Sequence, residues 1–139
     1  MDDHASWATG RLLLVAARLV EREWNALLAA RGLTHAGFLA LHVLGEGPRT
    51  QRELAALTYV EEQTVRPVLD RLERDGHIIR ERDPADRRRM MVTRTELGER
   101  TYAAVVTGDP AERIVTDLVE DPEALRAELI RLITGIRGR

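Results

Sequence analysis

The chain lacks cysteine and lysine altogether, and only 4% of its 139 residues are aromatic. Without cysteine it has no disulfides, no thiolate metal ligands and no thiol redox switch. No apolar run approaches the length of about 18 residues that predicts a transmembrane helix. "RLLLVAARLV" carries arginines, and no signal cleavage site follows it. We therefore expect a cytoplasmic protein.

Positive charge is concentrated in the middle of the chain, although the formal net charge is −2. Residues 49–94 hold 11 arginines and 9 acidic residues, whereas residues 1–48 hold 4 and 5, and residues 95–139 hold 6 and 9. Arginine is a better bidentate partner than lysine for phosphate and for guanine edges. Codon bias in a GC-rich genome is the favoured explanation for the absence of lysine, but it does not explain the clustering of the arginines.

Apolar residues recur at helical spacing near both ends of the chain. A first helix is expected from Ser6, as its N-cap, to about Ala30, with Gly32 ending it. A last helix is expected from about Pro122, in its first turn, to Ile136. These helices have more apolar surface than one small domain needs. A symmetric dimer is the economical way to cover it.

The middle of the chain predicts three more helices. "LTHAGFLALHVLGEG" begins a helix at Thr34 and ends it by Gly45, and "GPRT" then forms a loop. "TQRELAALT" opens the next helix with a capping box between Thr50 and Glu53. "TVRPVLDRLERDG" has helical spacing and stops at Gly76. Two helices joined by a tight turn are typical of a helix-turn-helix.

Two short strands, His77–Arg82 and Arg89–Arg94, flank "DPAD" and predict a hairpin. A further helix begins at Thr95 and is broken or kinked at Gly108-Asp109-Pro110. The expected fold is mainly α with a small β-hairpin wing, a winged helix-turn-helix flanked by helices that dimerise.

Four stretches carry the pattern in a fixed order: "LTHAGFLALHVL", "TQRELAALT", "TVRPVLDRLERDGHIIRERDPADRRRMMV" and "TELG". Together they resemble the MarR family of bacterial transcriptional regulators. The resemblance implies a homodimeric repressor that binds pseudo-palindromic double-stranded DNA and is commonly released by a small aromatic or phenolic effector. The resemblance also implies that the chain is divided into an N-terminal dimerisation helix (1–32), a winged helix-turn-helix DNA-binding domain (33–94) and C-terminal dimerisation helices (95–139).

The wing accounts for the local excess of arginine. Its tip fits the minor groove, where negative potential attracts arginine. The resemblance implies that Arg88 is the minor-groove probe and that Asp86 holds it by a charge-assisted hydrogen bond. Arg87 and Arg89 would point toward phosphates or back to the protein. A solvated charge run that closes a hairpin is the alternative.

The fourth helix is the expected recognition helix. Glutamine can read adenine, arginine can read guanine, and threonine can contact a phosphate or a thymine methyl group. Each such residue can also be an ordinary exposed polar side chain. The candidates for base contact are Gln63, Thr64, Arg66 and Arg71, and those for phosphate anchoring are Arg49 and Arg52.

Three features depart from the family pattern. Pro67 has no N–H for the Gln63 carbonyl, which predicts either a late helix start, with Pro67 in the first turn, or a kink near Gln63. Glu61 and Glu62 suit a helix N-terminus but repel phosphate, so they either accept from cytosine or face away. Arg94 stands where the family usually has leucine, and it either reaches a phosphate or loosens the junction between the wing and the fifth helix.

The family's effector cavity lies between the dimerisation helices and the DNA-binding lobe. By resemblance, the residues that would line it are Trp24, Phe38, His42 and Tyr102. His35 and His42 share a helix face but are seven residues apart, and no clustered carboxylate joins them. Neither a metal nor a cofactor is therefore predicted.

Two other classes of function are alternatives to a DNA-binding regulator. Pro67, the two glutamates and the negative net charge favour a winged-helix dimer that binds other proteins and does not bind DNA specifically. Such a protein would not need "DRRR" at its wing tip. An enzyme is disfavoured, since the sequence has no glycine-rich phosphate loop, no paired His/Asp/Ser arrangement and no metal cluster.

Overall fold

The computed structural model describes residues 3–139, and the chain divides into two compact units. Unit 1 contains the residues up to Trp24 together with Gly108–Arg139, and unit 2 contains Asn25–Thr107. The division into three functional segments stays a prediction. The elements are α1 (Thr9–Ala29), α2 (His35–Leu44), β1 (Arg49–Thr50), α3 (Gln51–Thr58), α4 (Glu62–Arg74), β2 (Ile78–Arg82), β3 (Met90–Arg94), α5 (Glu96–Val106), α6 (Pro110–Thr116) and α7 (Pro122–Arg137).

The ends of the first two helices follow from local hydrogen bonds. Ser6 is not the N-cap of α1, because it lies in a separate 3-10 turn and the extended Trp7 precedes the helix. Gly32 ends the α1 region with a φ of +71°. The predicted helix start at Thr34 is confirmed, and Thr34 is the N-cap of α2, since its hydroxyl accepts from the Gly37 N–H at 3.1 Å.

A three-stranded antiparallel sheet with the order β1-β3-β2 forms the wing and its base. The predicted hairpin of β2 and β3 is confirmed. The prediction that "GPRT" is only a loop is wrong, because Arg49 pairs with Val92 and Thr50 pairs with Met91. This short strand ties the base of the wing to the start of α3. The expected mainly helical winged fold is confirmed.

The hydrophobic core belongs to unit 2. Helices α2 to α5 contribute to it together with the sheet. No helix of unit 1 buries a side chain within the part of the chain that is described, since Leu28, the buried residue of α1, belongs to unit 2. The side chains with almost no solvent exposure are Leu28, Leu41, Leu54, Val65, Leu69, Ile78 and Val92.

The motif "TELG" joins α4, the wing and α5. The backbone N–H of Thr95 donates to the His77 carbonyl at 3.0 Å, and its hydroxyl donates to the Gly76 carbonyl at 2.6 Å. The same hydroxyl accepts from the Gly98 N–H at 3.0 Å and so caps α5, which begins at the predicted place. The backbone at Gly98 approaches the His77 carbonyl more closely than any β-carbon allows. Glycine is therefore required at this position.

The C-terminal region contains one helix more than expected. Gly108, with a φ of +78°, ends the chain's fifth helix as predicted, and Pro110 starts the short α6. The predicted last helix is confirmed, with Asp121 as its cap and Pro122 in its first turn. None of the helices in residues 3–139 is long and apolar enough to cross a membrane.

Candidate nucleic-acid interface

The loop between β2 and β3 is shaped by two aspartates. The backbone N–H of Asp83 donates to the Arg89 carbonyl at 2.9 Å, and the N–H of Asp86 donates to the Asp83 carbonyl at 3.2 Å. The Asp83 carboxylate accepts from the Ala85 N–H at 2.9 Å. These local bonds turn the chain tightly and place the three consecutive arginines on the turn between the strands.

Asp86 orients Arg88 at this tip. Its Oδ1 atom accepts from both the backbone N–H and the side-chain Nε–H of Arg88, each at 3.1 Å. The Arg88 side chain is 92% exposed, so its terminal nitrogens face solvent. The hydrogen bonds from Arg88 lower the pKa of Asp86 and keep it ionised. The predicted contact between these residues is confirmed.

The other two wing arginines take different directions. Arg89 turns back toward the protein, with Nη2 3.5 Å from the Glu53 carboxylate. Arg87 is exposed, and its side chain has no hydrogen-bond or ion-pair partner among residues 3–139. Of the two directions predicted for these arginines, Arg89 takes the inward one and Arg87 the outward one.

Glu53 links α3 to the wing. The capping box is confirmed: the Glu53 N–H donates to the Thr50 hydroxyl at 3.0 Å, and the Glu53 carboxylate accepts from the Thr50 N–H at 3.3 Å. Hydrogen bonding with Thr50 lowers the pKa of Glu53, and the nearby Arg89 lowers it further. The ionised carboxylate thus caps a helix and also holds a wing arginine.

Arg80 links the wing to α4, and sequence reasoning missed it. Its Nη2 atom donates to Asp70 at 2.7 Å and to Glu73 at 3.0 Å, and its side chain is only 17% exposed. Both acids raise the pKa of Arg80, and Arg80 lowers that of Glu73. The signal that could have found this clamp is the pair of acids three residues apart on α4, facing a strand with arginine on alternate positions.

A groove of about 920 Å³ runs between the start of α3, the exposed face of α4 and the wing. Six arginines line it: Arg52, Arg66, Arg80, Arg82, Arg88 and Arg89. Acidic residues pair with Arg80, Arg88 and Arg89. Arg52 and Arg66 have no hydrogen-bond or ion-pair partner among residues 3–139. The structure therefore brings three predicted contact residues, Arg52, Arg66 and Arg88, to one groove.

The start of α4 carries two further candidates, both exposed. Gln63 donates from Nε2 to the Glu61 carboxylate at 2.9 Å, which restrains the amide. Thr64 has an exposed side chain one residue further along. Glu62 lines the groove together with Glu53, Asp70 and Glu73, whereas Glu61 is not one of its lining residues. The expectation that these glutamates simply face away is wrong for Glu62.

Two predicted contact residues lie away from the groove. Arg71 is 3.8 Å from Asp75 and borders a separate small pocket against the start of α2. Arg49 is partly covered and is bound to the Pro48 carbonyl at 3.1 Å and to Glu46 at 3.4 Å. Both arginines are therefore engaged within the chain.

Pro67 lies inside α4 rather than in its first turn. The helix begins at Glu62, because the extended residue Glu61 accepts at its carbonyl from the N–H groups of Thr64 and Val65, each at 2.9 Å. The predicted late start is therefore wrong, and the predicted kink stays a prediction. Pro67 lines the small pocket on the α2 side of the helix, away from the arginine groove.

Arg94 has neither of its two predicted roles. Its Nη1 atom donates to the Leu41 carbonyl of α2 at 3.1 Å, and its guanidinium lies 5.4 Å from the ring centre of Tyr102. The side chain thus turns inward and ties the end of β3 to α2 and α5. This contact holds the junction together instead of loosening it.

Three of the four predicted effector residues form a cluster in unit 2. The rings of Phe38 and Tyr102 stack with centroids 5.4 Å apart, and His42 Nδ1 lies 2.5 Å from the Tyr102 hydroxyl. Trp24 belongs to unit 1, and its part in a pocket stays a prediction. Within residues 3–139, no three histidine or acidic side chains are placed to share a metal ion.

The chain is similar in sequence to known transcriptional regulators. Residues 31–89 match the sequence profile of the MarR family. The HTH-type transcriptional regulator YdcH of Bacillus subtilis, itself uncharacterised, is 32% identical over 102 residues, which are 69% of each chain. The chain spans only 43% to 60% of the length of several other curated relatives.

Two solved structures are similar over almost the whole chain. The repressor CouR, bound to a 23-mer DNA duplex, is 27% identical with a TM-score of 0.75, and the match covers 97% of this chain and 96% of that one. BpsR of Bordetella bronchiseptica is 25% identical with a TM-score of 0.74, and the match covers 100% and 99%. Its structure concerns regulation of DNA binding by 6-hydroxynicotinic acid. Both relatives share the winged architecture described above.

Proposed function

The chain belongs to the MarR family of transcriptional regulators, and on that premise we propose that it is a homodimeric, sequence-specific DNA-binding repressor. The observation that carries this proposal is the exposed Arg88, held by Asp86 at the tip of the wing beside a groove lined by Arg52 and Arg66. No enzymatic activity is proposed, because the relatives are transcriptional regulators. The cytoplasm is the proposed location.

The wing and α4 contact different grooves of the duplex. Arg88 enters the minor groove, where the negative potential attracts arginine. Asp86 orients the Arg88 side chain for this contact. The first turns of α4 enter the adjacent major groove, where Gln63, Thr64 and Arg66 reach base edges or phosphates. Arg52 and Arg87 contact phosphates. CouR, a similar repressor, binds a DNA duplex.

A second copy of the chain covers the apolar surface of unit 1. Its helices bury no side chain by themselves, and their exposed leucines and isoleucines would be costly to leave in water. A two-fold dimer buries the same surface on both copies and presents two wings to a pseudo-palindromic operator. The exposed large apolar side chains of unit 1 are Leu12, Leu13, Leu14, Leu19, Leu118, Ile130, Leu132, Ile133 and Ile136.

A small aromatic molecule releases the repressor from DNA. The cluster of Phe38, His42 and Tyr102 offers aromatic faces, an imidazole and a hydroxyl, which suit a phenolic or heteroaromatic ligand. BpsR, which resembles the chain over its whole length, is regulated by such a molecule, 6-hydroxynicotinic acid.

The function is tested by titrating fluorescent DNA with the full chain. The DNA is selected by the protein from duplexes randomised over about 25 base pairs, enough for two half-sites one helical turn apart. We expect an enriched inverted repeat, and affinity that falls steeply as salt rises because arginine–phosphate contacts release counterions. Equal affinity for unrelated DNA, or affinity that does not respond to salt, would contradict the proposal.

A second candidate function is a winged-helix dimer that binds another protein and not specific DNA. Glu62 in the arginine groove and Glu61 beside Gln63 favour it, because both add negative charge where a phosphate backbone would lie. The two functions separate in the selection experiment, since an adaptor enriches no sequence.

A further inference from the structure

Tyr59 combines backbone strain with almost complete exposure. It lies in the three-residue turn between α3 and α4 and has a φ of +58° and a ψ of +33°. Side chains other than glycine and asparagine rarely adopt this left-handed conformation, because the β-carbon crowds the backbone. The side chain is nevertheless 97% exposed.

The turn itself does not require a tyrosine. The backbone ends α3 with the Tyr59 N–H donating to the Ala56 carbonyl at 3.4 Å and the Val60 N–H donating to the Ala55 carbonyl at 3.0 Å. Glycine makes both bonds without strain, and it is common in helix-turn-helix turns. The protein therefore keeps a strained residue where an unstrained one would build the same turn.

The fold does not require it either. The Tyr59 hydroxyl has no hydrogen-bond partner among residues 3–139, and the exposure of the ring leaves it outside the core. Single exposed apolar residues are common and need no special explanation. An exposed aromatic residue in a left-handed backbone is different, because the strain is retained without any contact in the chain to offset it.

The position of Tyr59 is next to the start of the recognition helix. It precedes Glu61, the N-cap of α4, by two residues and Gln63 by four. We propose that Tyr59 is a DNA-backbone contact, whose hydroxyl donates to a phosphate oxygen and whose ring lies on the adjoining deoxyribose. Tyrosine hydroxyls are among the groups that contact phosphates, and a rigid ring loses little conformational entropy on binding. This inference rests on the proposed DNA-binding function.

The test compares variants of the full chain on the selected duplex. Tyr59→Asn keeps a residue that tolerates the left-handed backbone and removes the ring, whereas Tyr59→Phe removes only the hydroxyl. Leu57→Ala, at an exposed apolar position near the same turn, is the matched control. Arg88→Ala reports on the DNA-binding function itself.

We expect Tyr59→Asn to raise the thermal midpoint by a few degrees and to weaken DNA binding roughly three- to tenfold, so that stability and affinity move in opposite directions. Tyr59→Phe loses part of that affinity. The slope of affinity against salt stays unchanged in both, because a neutral hydroxyl displaces no counterion. Leu57→Ala binds like the wild type.

Wild-type affinity in Tyr59→Asn overturns the inference, and wild-type affinity in Tyr59→Phe overturns the phosphate contact. If Arg88→Ala loses binding while the Tyr59 variants keep it, the inference fails alone. If the wild-type chain selects no sequence and Arg88→Ala changes nothing, the proposed function fails and takes the inference with it.

Discussion

The guanidinium of Arg80 lies 2.7 Å from the carboxylate of Asp70, and this contact joins the wing to α4. Arg80 belongs to β2 and Asp70 to α4, and Glu73 adds a second bond at 3.0 Å. Because the arginine is mostly covered, water competes weakly for these bonds. One side chain thus sets the distance between the two elements proposed to enter adjacent grooves.

Replacing this clamp, Arg80→Met, should lower the free energy of unfolding by about 1 to 2 kcal/mol and weaken DNA binding. The side chain keeps its apolar stem, but Asp70 and Glu73 lose their shared cation and repel each other. Urea unfolding measures the first effect and DNA titration the second. Arg74→Met, at an exposed arginine of α4, is the control and should change neither.

The Arg80 clamp also predicts a pH dependence. Arg80 lowers the pKa of Glu73 below its ordinary value of 4.5, so the folded state favours the ionised form of this carboxylate. The stability from this group is therefore present above the unfolded pKa and is lost as the pH falls through the lower folded pKa. The difference in unfolding free energy between wild type and Arg80→Met should shrink as the pH is lowered below 4.5. A difference that stays constant with pH would assign the effect to packing alone.

Arg88→Ala should weaken binding to the selected duplex roughly 10- to 100-fold and reduce the salt slope by about one. The wing arginine is exposed, so the thermal midpoint should not change. Arg100→Ala, at an exposed arginine of α5, is the matched control. Equal losses in both variants would point to general charge and not to the wing.

Pro67→Ala should stabilise the protein by about 1 to 3 kcal/mol. An alanine N–H at this position in α4 can bond to the Gln63 carbonyl, which the proline leaves without its normal donor. Pro110→Ala is the control, because Pro110 is in the first turn of α6, where no N–H bond is lost. If Pro67→Ala instead lowers the free energy of chemical unfolding, the proline ring stabilises the protein by packing in the pocket against α2.

Gly98→Ala should destabilise unit 2 by about 2 kcal/mol or more, because the new β-carbon overlaps the His77 carbonyl oxygen. That carbonyl also accepts from Thr95, so its displacement disturbs the junction of wing and α5. Gly10→Ala in α1, where a β-carbon meets nothing within 4 Å, should instead stabilise by up to about 1 kcal/mol. In thermal unfolding, the midpoint temperature should fall for Gly98→Ala and rise for Gly10→Ala.

Contacts between near neighbours in the chain could be predicted from the sequence. The Thr50–Glu53 capping box, a helix start at Thr95 and the Asp86–Arg88 pair are predicted, and all are present. Each joins residues two or three positions apart, so the local backbone geometry determines it once the helix or turn is recognised.

Contacts between distant segments were missed or misjudged. Arg94 was expected to reach a phosphate or to loosen its surroundings, but it meets a carbonyl 53 residues earlier. The Arg80 clamp and the strand pairing of Arg49 were not expected either. Residue spacing does not predict which distant segments pack against each other. These partners are identified only from the packed sheet and helices.

Pro67 shows how packing overrides a local preference. Proline by itself predicts a helix boundary, yet α4 runs through it. Val65, Leu69 and Leu72 are buried in the core on both sides of the proline. Burial of such side chains contributes about 1.5 to 3 kcal/mol each, which exceeds the roughly 3 kcal/mol cost of the proline when summed.

By itself the amino-acid sequence determined most of the helices, the Thr50–Glu53 capping box and the hairpin, because periodicity and short-range hydrogen bonds depend on neighbouring residues. The Ser6 cap and the short α6 were exceptions. Tertiary structure alone decided which arginines face the groove, which are tied to acids inside the unit, and where the recognition helix begins. The reason is that charge pairing and burial act between segments far apart in the chain, and their strength depends on exposure and distance in space rather than on position along the sequence.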